Sequence, residues 1–351
     1  MTSAPTNPVD VPPYQVQNLI AGAPESGLAT SEVRCAQALG SEIYVGFANG
    51  QLVRFALQAD DPNKLESYTV LSQQTLPNDK AIDEIVLLPC ISRALIFSDN
   101  QIHFFTIPSL DVVIAIKPIR HVVTFAVDHQ HLRRPAASPS TLIHQLEPVE
   151  FTVIKRNALS MYALRDKLLY IKEIPLPQGT SLARRTGQSL CIAGRTEYQV
   201  VDLENASMFS IVPISQALEP PQFPIKPSIT VIDVNEFLVL SYTGVSTLGL
   251  FITSNGDPVR GTLEWPQHPE SVCYDYPYIT SLLPNGTIEV HGIETQSIVQ
   301  VIPAPVPSSN TDQIQRKKLV PSLQGYLVPS TEKSAKMRAV PVNLLRERVE
   351  I

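Results

Sequence analysis

The chain is a succession of short apolar stretches separated by tight polar turns. Residues 42–47 group apolar and aromatic side chains without helical spacing, and residues 51–57 alternate polar and apolar positions. Alternation with a period of two indicates a half-buried β-strand. Between the stretches lies Asn49-Gly50, a dipeptide suited to a type I′ turn, in which both central residues take positive φ. Residues 42–57 are therefore predicted to form a β-hairpin.

The same hairpin unit recurs along the chain. Further pairs of strand-like stretches joined by short turns occupy residues 94–107, 159–171, 190–201, 237–251 and 278–291. A unit of roughly 45 residues over this length predicts about seven four-stranded blades. The predicted fold class is therefore all-β, a seven-bladed β-propeller. A β-sandwich is the alternative, but hairpins would then have to fill two or three sandwiches, and no linker divides the chain.

A propeller removes its exposed sheet edges when one blade takes strands from both ends of the chain. Residues 14–20 are suited to this role, with residues 325–328 and 337–342 as partners. We therefore expect an N-terminal strand to close the last blade. The propeller then spans residues 14–342, after a polar, proline-rich tail at residues 1–13 that we expect to be disordered.

Two segments lack a strand pattern. Residues 133–148 contain three prolines and several serines, and they predict a surface insertion. Residues 303–318 predict a long mobile loop. The chain has 31 prolines in all, spread along its length, which excludes long helices and favours short strands.

Composition narrows the class of protein. A hydrophobic fraction of 44% allows a large core, and a net charge of −6 argues against a nucleic-acid partner. The N-terminus has neither the basic nor the apolar region of a signal peptide. No apolar run approaches the roughly 20 residues that span a bilayer. We therefore expect a cytoplasmic protein that reaches membranes through partners.

The four cysteines are far apart in sequence, at Cys35, Cys90, Cys191 and Cys273. No CxxC pair is present, which argues against a cysteine-based zinc site. Apolar neighbours predict that the cysteines are buried free thiols in a reducing compartment. Trp265 is likewise predicted to lie in the core.

Motifs of catalysis are absent from the sequence: it contains no P-loop, GxGxxG, GxSxG or HExxH pattern. Asp128-His129-Gln130-His131 is the one cluster of metal-binding residue types. On a strand, His129 and His131 would share a face and could bind zinc with a third ligand. A polar loop with solvated histidines is the favoured interpretation. We predict no catalytic, cofactor-binding or metal-binding residue, and hence a protein that is not an enzyme.

Basic runs occur at Arg133-Arg134, Arg184-Arg185 and Arg316-Lys317-Lys318. Such runs could contact anionic lipid headgroups or an acidic partner. The net negative charge of the chain favours solvated loop tips instead.

Several motifs resemble those of the citron-homology (CNH) domain. Gly249-Leu250-Phe251-Ile252, Asn255-Gly256-Asp257-Pro258 and Trp265-Pro266 are similar to the late part of that domain. Within the family, residues 82–85, 94–102 and 123–127 resemble the branch of TGF-beta receptor-associated protein and the fungal vacuolar protein sorting-associated protein 3. The resemblance covers about residues 14–340.

The resemblance implies a non-catalytic propeller in a CORVET-type membrane-tethering subunit, peripheral on endosomal and vacuolar membranes. Its implied partners are an early-endosomal Rab GTPase in the GTP form and other tether subunits, without cofactor or small-molecule substrate. Residues 343–351 resemble the start of the α-solenoid that follows in this branch. The alternatives are a CNH scaffold module of a Rho exchange factor or kinase, and a propeller hydrolase.

Overall fold

The fold is described from a computed structural model of the chain. It covers residues 12–18, 31–58, 67–138, 140–219, 221, 223–305, 320–322, 325–329 and 334–339. Outside the described residues lie positions 1–11 of the predicted tail, positions 19–20 of the predicted closing strand, positions 306–318 of the predicted loop with its Arg316-Lys317-Lys318 run, and the predicted solenoid start at 343–351.

Antiparallel strands make up nearly all of the described regular structure. In chain order they are β1 (Tyr14–Asn18), β2 (Val33–Leu39), β3 (Glu42–Phe47), β4 (Gln51–Gln58), β5 (Ser67–Thr75), β6 (Ile82–Leu88), β7 (Arg93–Ser98), β8 (Gln101–Thr106), β9 (Thr124–Val127), β10 (Val149–Ile154), β11 (Ala158–Leu164), β12 (Leu168–Pro175), β13 (Leu182–Thr186), β14 (Ser189–Ala193), β15 (Glu197–Asp202), β16 (Ser207–Pro213), β17 (Ile229–Asp233), β18 (Glu236–Tyr242), β19 (Thr247–Thr253), β20 (Leu263–Trp265), β21 (Ser271–Asp275), β22 (Tyr278–Leu282), β23 (Ile288–Gly292), β24 (Ile298–Ile302), β25 (Val320–Ser322), β26 (Gly325–Pro329) and β27 (Ser334–Ala339). One four-residue helix, α1 (His129–Leu132), and 3-10 helices at Pro89–Ile91 and Ile143–Gln145 complete the regular elements of the described residues.

The strands form a β-propeller, as predicted. Four consecutive strands make up each of the sheets β2–β5, β9–β12, β13–β16, β17–β20 and β21–β24, and a closing sheet has the order β1-β27-β26-β25. Innermost strands contact one another around the ring, as β9 does β13, β13 does β17 and β25 does β2. We call the end of the ring where innermost strands begin the entry end, and the end where they finish the exit end.

The blade count differs from the prediction. The described residues form six full four-stranded blades, not seven, and the remaining sheet, β6-β7-β8, has three strands. After β8, residues 111–122 return beside it through scattered hydrogen bonds: Ile119 exchanges two with Ile102, at 3.0 and 3.1 Å. Pro118 has no backbone N–H for a ladder, so a regular fourth strand is disfavoured there.

The core lies between neighbouring sheets. One large cluster joins the β6–β8 and β9–β12 sheets and includes Leu95, Phe104, Phe125 and Phe151. Trp265 is fully buried, which confirms its predicted place in the core, and its indole N–H donates to Ser281 Oγ at 2.8 Å. The four cysteines are buried, as predicted.

The predicted hairpins are present, but one predicted turn type is wrong. At Asn49-Gly50 only Gly50 has positive φ, 80°, and its N–H donates to Phe47 O at 3.3 Å. This is a three-residue connection with glycine in the left-handed position rather than a type I′ turn. The type I′ pattern of two positive φ values occurs instead at Asp99 and Asn100, at 49° and 57°.

The predicted closing strand is confirmed. β1 pairs antiparallel with β27, from Tyr14 opposite Ala339 to Asn18 opposite Ala335. It supplies the outermost strand of the closing sheet, while β25 is innermost. Tyr14 packs on the next sheet, against a cluster that contains Cys273, Leu282 and Val290. The first described strand is thus joined to two blades.

Candidate interaction surfaces

A buried polar cluster holds together the exit ends of β9 and β13. The side chain of Arg185 is 1% exposed, its Nε donates to Gly187 O at 2.8 Å, and its Nη2 donates to Glu150 Oε2 at 2.5 Å. Asp128 Oδ1 accepts from the backbone N–H of Gly187 at 3.1 Å and of Gln130 at 3.0 Å. Both carboxylates thus lie beside one buried guanidinium, which compensates their charge in a low-dielectric setting.

His129 and His131 lie on α1, so both interpretations made from the sequence are wrong. They are not on a strand face, and they are half-buried rather than solvated. His131 Nδ1 accepts from the backbone N–H of Glu150 at 2.9 Å. Desolvation by burial lowers the pKa of His129 to about 4, with Arg133 adding to the effect. Among the described residues, no group of three or more His, Cys, Asp or Glu side chains could hold a metal ion.

The described basic runs are largely neutralised. Arg134 forms an ion pair with Glu147 at 3.3 Å and donates to Pro148 O at 2.9 Å. Arg184 lies 3.7 Å from Glu84, and Arg185 belongs to the buried cluster. The sequence predicted solvated loop tips for these runs. Arg134 and Arg185 instead form structural contacts within the fold.

The segment 133–148 covers the exit end of the β6–β8 and β9–β12 sheets. The N–H of Ala137 donates to Pro89 O at 3.1 Å. Arg165 Nη1 donates to His144 O at 2.8 Å and to Leu146 O at 3.3 Å. Residues 133–138 and 140–148 contain a 3-10 helix at Ile143–Gln145 but no strand. These anchors hold the segment against the ring.

A concave groove lies at the entry end, between the β6–β8 and β9–β12 sheets. Its lining includes His121, Lys155 and Arg156, with Asn100, Val123 and Glu173 beside them. The segment before β9 connects the two walls, because Val122 N–H donates to Asn100 O at 2.9 Å and Val123 N–H donates to Ile154 O at 2.8 Å. The sequence did not predict this groove, because the residues that line it are distant along the chain: Asn100 and Lys155 are 55 positions apart.

Several outermost strands expose apolar side chains. On β12 three consecutive residues are exposed, Leu169, Tyr170 and Ile171. Met208 and Phe209 on β16, and Ile298, Val299 and Val301 on β24, are exposed as well. Runs of large apolar side chains on sheet edges are typical of surfaces that contact other proteins.

The described carboxylates of the buried cluster and of the groove are all engaged. Asp128 and Glu150 lie beside Arg185, and Glu173 accepts a hydrogen bond from the Ser160 hydroxyl at 3.1 Å. No described helix has the length and apolar character needed to cross a membrane. The fold is a β-propeller with exposed apolar runs on several outermost strands.

Comparison with known families identifies the family to which the chain belongs. The sequence model of the CNH domain matches residues 30–310. The chain therefore belongs to the CNH domain family.

Two curated relatives are similar over most of this chain. "Transforming growth factor-beta receptor-associated protein 1" of Mus musculus is 22% identical over 77% of the chain, which covers 30% of that protein. "Vacuolar protein sorting-associated protein 3" of Saccharomyces cerevisiae is 24% identical over 76% of the chain, which covers 24% of that protein. The chain thus spans less than a third of the length of these relatives.

Solved structures agree on the fold. The "AfRom2 CNH domain" has a TM-score of 0.58 at 15% identity, over 93% of this chain and 99% of that one. The "WD40 beta propeller domain of Doa1" has a TM-score of 0.61 at 14% identity, over 95% of this chain and 99% of that one. At such identities the likeness concerns the propeller architecture alone.

Proposed function

We propose that this chain is the protein-interaction propeller of a CORVET-type membrane-tethering subunit that acts in endosome-to-vacuole or endosome-to-lysosome transport. The observation that carries the proposal is the CNH match over residues 30–310 together with relatives named for vacuolar protein sorting and receptor association. The chain contributes contacts rather than catalysis, and it resides on endosomal or vacuolar membranes as a peripheral protein.

The proposed partners are an early-endosomal Rab GTPase in its GTP form and neighbouring subunits of the tether. The apolar run of Leu169, Tyr170 and Ile171 on β12 supports a protein contact, because aromatic and apolar residues dominate the buried centres of interfaces. Tyr170 packs edge-on against Tyr162, with ring centroids 5.9 Å apart. A side chain that is already oriented loses less conformational freedom when a partner binds.

The alternative of a Rho exchange-factor or kinase scaffold has no comparable support. Its basis is the CNH fold itself, and the solved CNH structure is 15% identical to this chain. We therefore retain the tethering function as the proposal.

A pull-down tests the GTPase contact directly. The purified chain is immobilised and exposed to an early-endosomal Rab GTPase loaded with GDP or with a non-hydrolysable GTP analogue. We expect retention of the GTP form alone. Because transient interfaces can be small, the dissociation constant should be on the order of 10⁻⁶ M. Equal retention of both forms would contradict a GTP-dependent contact, and retention of neither would remove the GTPase site from this chain.

A matched pair of variants locates the contact. Tyr170→Ala with Ile171→Asp alters β12, and Ile298→Ala with Val299→Asp makes the same kind of change on β24, another exposed outer strand. Loss of binding in the β12 variant alone would assign the contact to β12. Loss in the β24 variant alone would place it on the far side of the ring and contradict the assignment.

A further inference from the structure

The entry-end groove is surrounded by basic side chains that lack acidic partners. Lys117, Arg120, His121 and Arg156 are exposed, and Lys155 is half-buried. None of the five forms an ion pair within the part of the chain that the structure describes. We call these five residues the basic rim. It contrasts with Arg134, Arg184 and Arg185, each of which lies beside a carboxylate.

The acidic side chains beside the rim are engaged elsewhere. Glu173 lines the groove, but its Oε2 accepts the hydroxyl proton of Ser160 at 3.1 Å. Asp99 Oδ2 accepts from Asn78 Nδ2 at 3.2 Å. The chain carries a net charge of −6, whereas at the rim the four cations Lys117, Arg120, Lys155 and Arg156 outnumber the two carboxylates of Glu173 and Asp99, which is a local reversal of the overall sign. Such a reversal directs anionic ligands to one place on the surface.

The backbone holds the two halves of the rim together. His121 is fixed between the turn at Asn100 and the end of β10, because its neighbours Val122 and Val123 donate to Asn100 O and Ile154 O. Lys155 N–H donates to Ala158 O at 2.8 Å, which closes the turn that presents Arg156. The backbone of the rim is therefore held in place by hydrogen bonds, which lowers the conformational cost of binding.

Exposed apolar side chains accompany the basic ones. Ile114 is 93% exposed and lies on the same returning segment as Lys117 and Arg120, whereas the 60% exposed Val112 lies opposite Phe105, toward the exit end. Val123, 39% exposed, lines the groove. Basic residues interspersed with protruding aliphatic ones match the headgroup region of a bilayer, which offers phosphates and shallow acyl chains together. An acidic peptide would use the charges but would leave Ile114 without a partner.

We propose that the basic rim, with Ile114 beside it, binds the phosphate groups of an anionic membrane surface. The contact lies at the entry end, whereas Leu169, Tyr170 and Ile171 lie in the half of β12 toward the exit end, on the same strand whose Glu173 lines the groove. Being electrostatic and of small area, it weakens with rising salt and assists partner-mediated recruitment rather than replacing it.

Vesicle co-sedimentation of the full chain, without any GTPase, tests the proposal. The probes are neutral phosphatidylcholine vesicles and vesicles in which about a fifth of the lipid is phosphatidylserine with a small share of phosphatidylinositol phosphate. We expect binding to the anionic vesicles alone, and loss of that binding at high salt. Binding to neutral vesicles at the same level, or to neither, overturns the proposal.

Charge-reversal variants locate the site. Lys155→Glu with Arg156→Glu should lower vesicle affinity by about tenfold or more. Arg133→Glu with Lys167→Glu changes the net charge equally, at exposed positions toward the exit end, and should leave most of the affinity. Equal losses in the two variants would mean that net charge, not the rim, governs binding. Unchanged melting temperatures verify that both variants fold.

A third variant, an immobilised acidic peptide and inorganic phosphate distinguish a membrane surface from other negatively charged ligands. Ile114→Asp should weaken vesicle binding even though the rim is intact. Retention on an immobilised poly-glutamate peptide without vesicle binding would indicate an acidic protein partner and overturn the membrane contact. Calorimetric binding of inorganic phosphate without vesicle binding would indicate a small soluble ligand, with the same consequence. A negative GTPase pull-down leaves this result untouched.

Discussion

The side-chain amide of Gln300 forms two hydrogen bonds with the main chain of Tyr14. Its Nε2 donates to Tyr14 O at 2.7 Å, and its Oε1 accepts from Tyr14 N–H at 3.0 Å. The hydroxyl of Tyr14 donates to Asp275 Oδ2 at 2.9 Å, and its ring meets Tyr278 edge-on. The strand that closes the ring is therefore attached to the β21–β24 sheet by side chains as well as to β27 by its backbone.

Gln300→Leu should destabilise the closed ring. The substitution removes two hydrogen bonds, each contributing about 0.5–1.5 kcal/mol, so we expect the free energy of unfolding to fall by about 1–3 kcal/mol. Urea denaturation followed by tryptophan fluorescence measures the change. Gln188→Leu, at an exposed position with no side-chain hydrogen bond in the described residues, should change it by less than about 0.5 kcal/mol.

Truncation tests the same closure more severely. Removing residues 1–22 deletes β1 and exposes the edge of β27, and the product should aggregate. Removing residues 1–12 keeps β1 and should leave the melting temperature unchanged. Identical solubility and melting temperature for the two products would show that β1 contributes little to the ring.

Arg185→Met should be among the most destabilising single substitutions. It leaves Asp128, whose side chain is 5% exposed, and Glu150 without their buried cation. Removing one partner of a buried ion pair costs about 3–5 kcal/mol. The neighbouring Arg184→Met breaks a half-exposed pair with Glu84 and a hydrogen bond to Ala183 O, and should cost about 1 kcal/mol. Equal denaturant midpoints for the two variants would contradict the anchoring role of Arg185.

Gly249→Ala should strain the packing of Trp265. A Cβ at this position would lie 2.7 and 2.9 Å from two carbons of the indole ring, and overpacking of this kind costs about 1–3 kcal/mol. Thermal unfolding measures the loss. In a double-mutant cycle with Trp265→Phe, the smaller ring should make the combined loss smaller than the sum of the single losses. Simple additivity would mean that the two side chains do not clash.

Acidification should weaken the fold through its buried histidines. Desolvation by burial lowers the pKa of His291 to about 4, against an ordinary value of 6.5. Between these two pKa values the unfolded chain binds the proton more readily, so stability is present above about pH 6.5 and is lost as the pH falls toward 4. The melting temperature should therefore drop from pH 7 to pH 5. His291→Gln should reduce that drop, and an unchanged drop would exclude His291 as its source.

Glu289 provides a control of opposite sign. Desolvation by burial raises the pKa of its carboxyl group, which lies 3.9 Å from His291 Nε2. Because the pKa is raised in the folded state, the unfolded chain releases this proton at a lower pH than the folded chain does. The free energy of unfolding therefore falls as the pH rises above 4.5, the ordinary pKa of a glutamate. Glu289→Gln should therefore raise the melting temperature at pH 7.5 and have little effect near pH 4.

Local patterns were sufficient to predict the strands and the fold class. Period-two stretches separated by short turns identified the hairpins, and the apolar setting of Trp265 indicated a core position. The turn at Asn49-Gly50 was mispredicted because composition permits type I′ without requiring it, whereas Asp99-Asn100 adopts two positive φ values without glycine. The three-stranded sheet had a readable signal, since Pro108 and Pro118 frame the stretch where a fourth strand would lie.

The candidate surfaces were harder to predict, because they depend on contacts across blades. Arg185 looks like half of a solvated basic pair until the ring places it between Asp128 and Glu150. Arg120 and Arg156 are distant in sequence, and only the hydrogen bonds from Val122 and Val123 show that their turns adjoin. Burial and charge pairing are tertiary properties, and single-strand periodicity carries no information on either.

The pairing of β1 with β27 also determines when the ring can close during biosynthesis. Tyr14 meets Ala339, so the first strand emerges from the ribosome long before its partner exists. At a synthesis rate of about 5–20 residues per second, the wait is on the order of tens of seconds. Until then the closing sheet lacks the partner of β1, so the ring cannot close. Substitutions in β27 would therefore reduce cellular yield before they reduce the stability of the finished molecule.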